Sequence, residues 1–489
     1  MQYFNQLVLL GIILGVTGCG NDDLKHDKEL KSIIKAKQLT GNPFKGKNLP
    51  NIMDAKSQLG MHLFFSKSLG VNRDSACVTC HHPMLGGGDD LSLPIGVGAV
   101  NPDLLGKGRL HSSLASSYNG GPLVPRNAPT TFNIAGWNKV LFHDGRIETL
   151  SPSSISTPDS GYLVEDLLAT KNLASAQSRF PITSLEEMKG FASSDKTNND
   201  TRRYVASRIG GYGEGRGELE YTNYWLTKFQ IAFNKPKGLP EELITEQNIA
   251  LLLGEYENSQ VFIDTPWKDY IEGDDFAISS FAKEGALLFF KSKEEGGVNC
   301  VSCHKGDFFT DESFHNIAMP QFGQGKGNGD DGVEDFGRFL VTEKEPDKYA
   351  FRTPTLLNVE MTGPWGHTGA YTSLESIVRH HLNPKLAIEN YDFKQLFQPG
   401  LQHLDKLKEN TLKAISLLEE DQKLGKKTLS NMKLNDKEVK SLVAFLETLT
   451  DSCVKDKECL SKWVPFAQED PNGDQLDAVN KEGTPLALN

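Results

Sequence analysis

The chain has 489 residues, of which 38% are hydrophobic and 24% charged, and a formal charge of −12. That length suffices for two or three domains with ample cores. The acidic balance, without any basic cluster interleaved with aromatics, argues against nucleic-acid binding, and such a surface could steer a basic protein partner.

Leu7 to Val16 is an apolar run too short for a comfortable membrane span. It leads to Val16-Thr17-Gly18-Cys19, which resembles a bacterial lipoprotein processing site, where the cysteine is acylated and becomes the new amino terminus. Met1 to Gln6 carries no lysine or arginine, which leaves a plain secretory signal open. Both readings export the chain. Residues 1–19 are thus read as the signal, and the polar, lysine-rich residues 20–50 as a tether to a lipid anchor.

Leu59, Leu63, Phe64 and Leu69 recur at near-helical spacing and predict a helix over Met53 to Leu69. Residues 91–125, rich in Gly, Pro and Ser, read as loop. A helix is expected over Glu241 to Phe262, opened by Pro240, and a shorter one over Ser280 to Phe290. Asn410 to Leu449 reads as helical, and the tail after Pro465 as polar and loose. Cys453 and Cys459 suit a small structural disulfide in an oxidising compartment. The expected fold class is mainly α. The expected units are an amino-terminal domain over 51–265, a carboxyl-terminal domain over 266–450 and a disulfide-bearing tail over 451–489.

Two motifs carry chemistry: Cys77-Val78-Thr79-Cys80-His81 and Cys300-Val301-Ser302-Cys303-His304. Cys-x-x-Cys-His is the attachment signature of a c-type haem, in which Cys77, Cys80, Cys300 and Cys303 form thioethers and His81 and His304 ligate iron. Half of a zinc site or a redox dithiol remains the alternative for each pair. Covalent haem agrees with export, since its attachment takes place outside the cytoplasm. Leu63-Phe64-Phe65 and Leu288-Phe289-Phe290 precede the two motifs, which points to two copies of one helical unit. Gly323 to Gly329 does not sit between a strand and a helix and is no nucleotide cradle. Asp470, Asn472 and Asp474 begin like a calcium loop whose later positions are misplaced.

With both motifs in place, residues from about Leu59 to Leu449 resemble the bacterial di-haem cytochrome c peroxidase and MauG superfamily. Further motifs carry this resemblance: Arg126-Asn127-Ala128-Pro129-Thr130, Phe142-His143-Asp144-Gly145-Arg146, Pro181 with Glu187-Met188, Phe308-Phe309-Thr310-Asp311, and Arg352-Thr353-Pro354-Thr355-Leu356-Leu357-Asn358-Val359. The resemblance implies two cytochrome-c-like domains with one haem each, long loops, and a calcium ion at their junction held by Asn127, Thr362 and Pro364. It also implies that the last helices pack back on the first domain.

In this family the first haem reacts with peroxide, and a histidine in an Ile-Gly-His-Gly segment often blocks it. Here the segment is Ile95-Gly96-Val97-Gly98, so the first haem is expected to stand open, with His111 as a residue that could cap it. By resemblance Glu187 moves the proton in peroxide cleavage, although Glu186 next to it shows how ordinary a helix glutamate is there. Arg146 orders the same region or a propionate. His143 replaces the tryptophan that usually bridges the haems. The position of the second haem's sixth ligand, counted from His367, falls on His381, with His380 as fallback, and a bis-histidine haem would have a lowered potential. The expected activity is an EC 1.11.1-type peroxidase or a MauG-like oxidation of a tryptophan or tyrosine on a partner protein. Hydrogen peroxide and a small cytochrome c or cupredoxin donor are the further expected partners. The only membrane contact expected is a lipid anchor, from the periplasm to the outer membrane. A non-enzymatic electron carrier is the rival of another class.

Overall fold

A computed structural model describes residues 19–170, 172–426, 429 and 431–477. Residues 1–18 of the expected signal lie outside it. Six helices organise the structure: α1 (Cys19–Lys37), α2 (Ala55–Phe64), α3 (Glu246–Asn258), α4 (Ser280–Phe290), α5 (Leu374–Leu382) and α6 (Asp436–Glu447). Strands are short. β1 (Val140–Leu141), β2 (Ile147–Ser151) and β3 (Ser154–Ser156) form one antiparallel sheet, and β4 (Phe314–Asn316) pairs with β5 (Ala350–Arg352), with His315 opposite Phe351. Among the described residues no helix is long and apolar enough to cross a membrane.

The apolar interior gathers into two main cores. In the first, Leu59, Leu63 and Phe64 of α2 pack on Leu252, Leu253 and Tyr256 of α3. The two helices meet at Gly60, where an added Cβ would lie 2.0 Å from the Leu252 carbonyl oxygen. In the second core, α4 crosses α6 at Gly285, where a Cβ would lie 1.8 Å from the Ser441 carbonyl oxygen. Phe289 and Phe290 then close on Phe445, with ring centroids 5.2 and 5.8 Å away. α2 with its capping residue Phe65, and α4, thus carry Gly-x-x-Leu-Phe-Phe, use the glycine for backbone contact, and precede a Cys-x-x-Cys-His turn in the chain. Removing the side chain is what allows so close an approach.

Several expectations are corrected. The helix expected over Glu241 to Phe262 is divided: Pro240–Leu243 is a short turn, and α3 starts anew because Thr245 Oγ1 accepts the Asn248 amide at 3.2 Å. The stretch from Asn410 is likewise two helices, Leu407–Lys423 and α6, the latter opened by a capping box between Asn435 and Glu438. Residues 20–50 do not form a free tether. Leu30 of α1 is fully buried in the second core, and buried Lys283 of α4 bonds Asp23 and Asp27 of α1 at 3.0 and 2.9 Å. The chain then fastens to the loop after His304: Thr40 and Gly41 amides each donate to Asp307 at 2.9 Å. The polar residues that suggested a spacer are the outer face and ion-pair partners of a docked helix.

The tail is also folded, as far as residue 477. Cys453 and Cys459 are disulfide-bonded. Asp474 pairs with Arg73 at 2.7 Å and accepts from Ser68 Oγ at 2.6 Å, which occupies the aspartate that resembled a calcium ligand. The Leu476 amide donates to Phe65 O at 2.8 Å. The packing-back of the last helices is met only in part: α6 belongs to the second core, whereas the short helix Lys457–Leu460 brings Leu460 against Phe132 and Phe262.

Candidate functional site: two haem-attachment turns

Both Cys-x-x-Cys-His motifs fold into one tight turn. Cys80 and His81 amides donate to Cys77 O at 3.2 and 3.1 Å, and Cys303 and His304 amides donate to Cys300 O at 3.2 and 3.0 Å. His81 Nδ1 donates to Gly87 O at 3.2 Å and His304 Nδ1 to Phe309 O at 3.1 Å. This fixes both rings in the tautomer whose Nε2 lone pair is free for a metal. Burial keeps both imidazoles neutral, that of His304 pushed down to about 4 by burial with His381 adding to it. Burial pushes the thiols up, Cys300 to about 12, which does not suit a reactive dithiol. Among the described residues the two cysteine pairs do not converge on a shared four-ligand cluster, as a joint zinc site requires.

At the second turn α5 supplies an opposing ring. His304 and His381 lie with ring centroids 6.4 Å apart. Two imidazoles on opposite sides of one metal ion have centres about 6 Å apart, because each metal–nitrogen bond is about 2 Å. His381 Nδ1 donates to Ile377 O at 2.8 Å, so its Nε2 is the free nitrogen. His380 is unsuited to be the fallback ligand. It is fully buried, its Nδ1 meets the Tyr371 hydroxyl at 2.7 Å and its Nε2 meets Ile317 O at 2.9 Å.

The other side of the first turn is built differently. The Val97 amide donates to Glu186 O at 3.1 Å, and a Cβ on Gly96 would lie 2.5 Å from Glu187 O. The Val97 segment therefore runs directly against the wide π-type turn Leu185–Lys189 that carries Glu187. Ser75 Oγ donates to Glu187 O at 2.8 Å and ties that turn to the start of the first motif. Fully buried Arg109 bolts the loop down, donating to Ile95 O at 2.6 Å and Gly96 O at 2.8 Å. Val97 is buried, and among the described residues no ring pairs with His81 as His381 pairs with His304. His111 is taken up in its own loop, stacked 5.4 Å from Tyr118.

A cavity of about 470 Å³ opens at this turn, lined by Glu187, Arg146, Lys326, Phe180, Pro181 and Tyr162. Burial holds the Glu187 carboxyl above its ordinary range, opposed by the positive charges of Arg146 and Lys326. Arg146 lies 3.5 Å over the Phe142 ring and donates to Asp144 at 3.1 Å. Arg126 links Asp144 to Asp335, each at 2.6 Å.

His143, Asn127 and Arg352 are joined by hydrogen bonds. His143 Nε2 donates to Asn127 O at 2.9 Å, and the Arg352 amide donates to His143 O at 2.8 Å. Burial pushes the His143 imidazole down to about 4, with Arg126 adding to it, so this ring is neutral. Asn127 donates its amide nitrogen to Leu91 O at 2.8 Å, which leaves its side-chain oxygen as an acceptor suited to a hard cation. Its main-chain amide reaches His367 O at 2.8 Å, in the turn that follows Thr362 and Pro364.

Sequence reasoning used His367 only as a landmark and did not find its role. Both its ring nitrogens are buried without a partner, and the ring stacks 3.8 Å from Phe351. His82 Nε2, beside the first turn, is likewise orphaned. Buried polar atoms without partners fit sites shaped for a bound group, and with the two ligand-ready turns they make this donor set suitable for two covalent haems. Lys326 and the pair His315–Asp311 were missed too, because each acts across a distance in sequence that no local motif records.

A family model described as di-haem cytochrome c peroxidase matches residues 54–276. The chain is 28% identical over 344 residues to the methylamine utilization protein MauG of Methylorubrum extorquens, covering 69% of this chain and 73% of that one. It is 27% identical over 384 residues to the cytochrome c551 peroxidase of Pseudomonas aeruginosa, covering 76% and 84%. Among solved structures, a MauG-like protein associated with microbial copper homeostasis superposes with a TM-score of 0.52 at 18% identity, over 85% of this chain and 96% of that one. A variant of the diheme peroxidase BthA of Burkholderia thailandensis gives 0.51 at 18% identity, over 88% and 92%. The helix-rich architecture agrees with these relatives, and the chain is similar to members of the di-haem cytochrome c peroxidase and MauG superfamily.

Proposed function

We propose that this chain is an exported di-haem oxidoreductase that reacts with hydrogen peroxide at its first haem and exchanges electrons through its second. One observation carries the reading: Val97, an apolar residue that cannot ligate iron, packs against the turn of Glu187 beside a 470 Å³ cavity. When bound, the haems supply peroxide reduction at the first site and electron storage at the second. Cys77, Cys80 and His81 would hold the first haem, and Cys300, Cys303, His304 and His381 the second. Glu187 takes the proton from one peroxide oxygen and delivers it to the other. Its burial raises the carboxyl above its ordinary range, against the pull of Arg146 and Lys326, which makes it a stronger base for the proton it carries. Arg146 keeps that carboxylate oriented, and the neutral His143 fixes the junction through Asn127. Asn127, Thr362 and Pro364 are the proposed calcium ligands.

Two fates of the oxidising equivalent remain within this reading: reduction of peroxide to water by a small cytochrome c or cupredoxin, or oxidation of a partner protein's tryptophan or tyrosine. Val97 and the His304–His381 pair favour the second. Residues 1–19 as a lipoprotein signal would place the enzyme in the periplasm, anchored to the outer membrane. Hydrogen peroxide is added to the di-haem protein with a reduced mono-haem cytochrome c. Fast turnover that collapses in Glu187→Gln establishes the peroxidase. Slow turnover with this donor, together with oxidising equivalents that persist in the protein after peroxide, points to a side chain on a partner protein as the reductant. A ferric spectrum without any high-spin component, together with inertness to peroxide, leaves only an electron carrier.

A further inference from the structure

One charged pair beside the second attachment turn has no part in the chemistry above. His315, on β4, donates from Nε2 to Asp311 Oδ2 at 3.0 Å, and the aspartate is almost wholly buried. A ligand atom of each of these two residues and the Cys303 sulfur lie within 4.8 Å of one another. Sulfur, carboxylate and imidazole at that spacing would suit a metal, but Cys303 is committed to the thioether. The cluster is instead a fixed ion pair on the covalent edge of the second haem. The Ser313 amide donates to Asp311 Oδ1 at 3.0 Å, which fixes the carboxylate.

We propose that His315, paired with Asp311 against the Cys303 sulfur, couples the electron affinity of the second haem to its own protonation. The inference rests on the reading of Cys300, Cys303, His304 and His381 as the second haem's holders. The charge argument is simple. While His315 is an imidazolium it cancels the Asp311 carboxylate, and when it loses its proton a net negative charge is left at the haem edge. Negative charge there disfavours the added electron. One electron entering above the titration point therefore brings one proton to the imidazole from solvent, which reaches the ring because it is not fully buried.

Asp311 also bonds the Thr353 side chain, and its charge reaches His304. On β5, Arg352 turns to the Trp137 ring at 3.5 Å and to Val140 O. On the neighbouring turn, Asp347 accepts from Thr342 Oγ1 at 2.5 Å and exposed Glu345 faces Lys348. Asp311 is the ion that faces His315. Its carboxylate holds the imidazole above its ordinary range, against its burial. The thioether keeps the sulfur in place, and the carboxylate remains the dominant partner.

The test is a spectroelectrochemical titration of the di-haem protein from pH 6 to 10.5, after the haem content has been counted. In the native protein the second haem's midpoint should be flat through neutral pH. It should then fall on the alkaline side by the equivalent of about a tenfold change in the electron equilibrium, 59 mV for one electron. In Asp311→Asn the same fall should move down toward the ordinary histidine range, near pH 6.5. His315→Lys, which keeps a positive charge, should flatten the curve up to about pH 10. A native curve without the fall, or a fall that both variants leave in place, overturns the inference. Attachment of only one haem, or a second haem without bis-imidazole spectra, would instead overturn the reading on which it rests.

Discussion

The two attachment sites are copies on one side and unlike on the other. On the proximal side each has a Gly-x-x-Leu-Phe-Phe helix, a tight Cys-x-x-Cys-His turn, and a histidine whose Nδ1 is held by a carbonyl a few residues on, Gly87 O or Phe309 O. On the far side they diverge. The second site receives His381 from α5, with rings 6.4 Å apart, while the first receives an apolar loop bearing Val97 and a turn bearing Glu187 over a cavity. Holding a haem is therefore encoded locally and twice. The far side of each site is encoded once, by whichever distant segment is brought opposite the turn.

The largest effect that could break this comparison is at Glu187. If the first site is the reactive one, Glu187→Gln should lower the peroxide-dependent rate by about 10²–10⁴-fold and leave the second haem's spectrum untouched. An equal loss of both signals in stopped-flow absorbance would mean that the sites are not separable. The next test is His381→Met. It should keep the second haem six-coordinate but raise its potential, because a thioether stabilises the ferric state less than imidazole does. Unchanged potential and spectrum would remove His381 from the site.

The shared half of the comparison can be tested through its glycines. Gly60→Ala and Gly285→Ala should each destabilise the protein by about 1–3 kcal/mol, since a Cβ at either meets a carbonyl oxygen of the crossing helix within about 2 Å. Thermal melts of the two variants should fall by similar amounts. A neutral Gly285→Ala would show that the second crossing is not as close as the first.

These elements also show what could be read from the sequence. The tight attachment turns and the helix Ser280–Phe290 were legible, because each depends on residues close to one another in the chain, whereas His381 was reached only by counting along the family pattern from His367. The repeated Leu-Phe-Phe was legible as well, but the glycine three residues before its leucine was not, since its reason is a carbonyl of another helix. Residues 20–50 failed for a related cause. A lysine-rich stretch with few apolar residues reads as spacer until Leu30 finds the second core and Asp23 and Asp27 find buried Lys283. Arg109, Lys326 and the His315–Asp311 pair gain their meaning only from long-range contact.

Lys326 allows the finest test of the comparison, because it is where the second half of the chain reaches the first site. It rises from the glycine-rich stretch 323–329 into the cavity of Glu187, alongside Arg146. Burial raises the Glu187 carboxyl, and the two cations pull it back down. A glutamate that must be ionised to accept a proton loses activity as pH falls through its pKa, so the acid limb of the rate profile reports that value. Removing one cation raises the pKa further, and Lys326→Met should therefore move the acid limb to higher pH. The shift should be less than about one pH unit, since water in an open cavity screens the charge. Lys385→Met, which removes a half-exposed lysine paired with Glu419 on the surface, should leave the limb in place. An acid limb that Lys326→Met does not move would mean that Lys326 does not act on the Glu187 carboxyl, and that this arm of the second half of the chain is electrostatically silent at the first site.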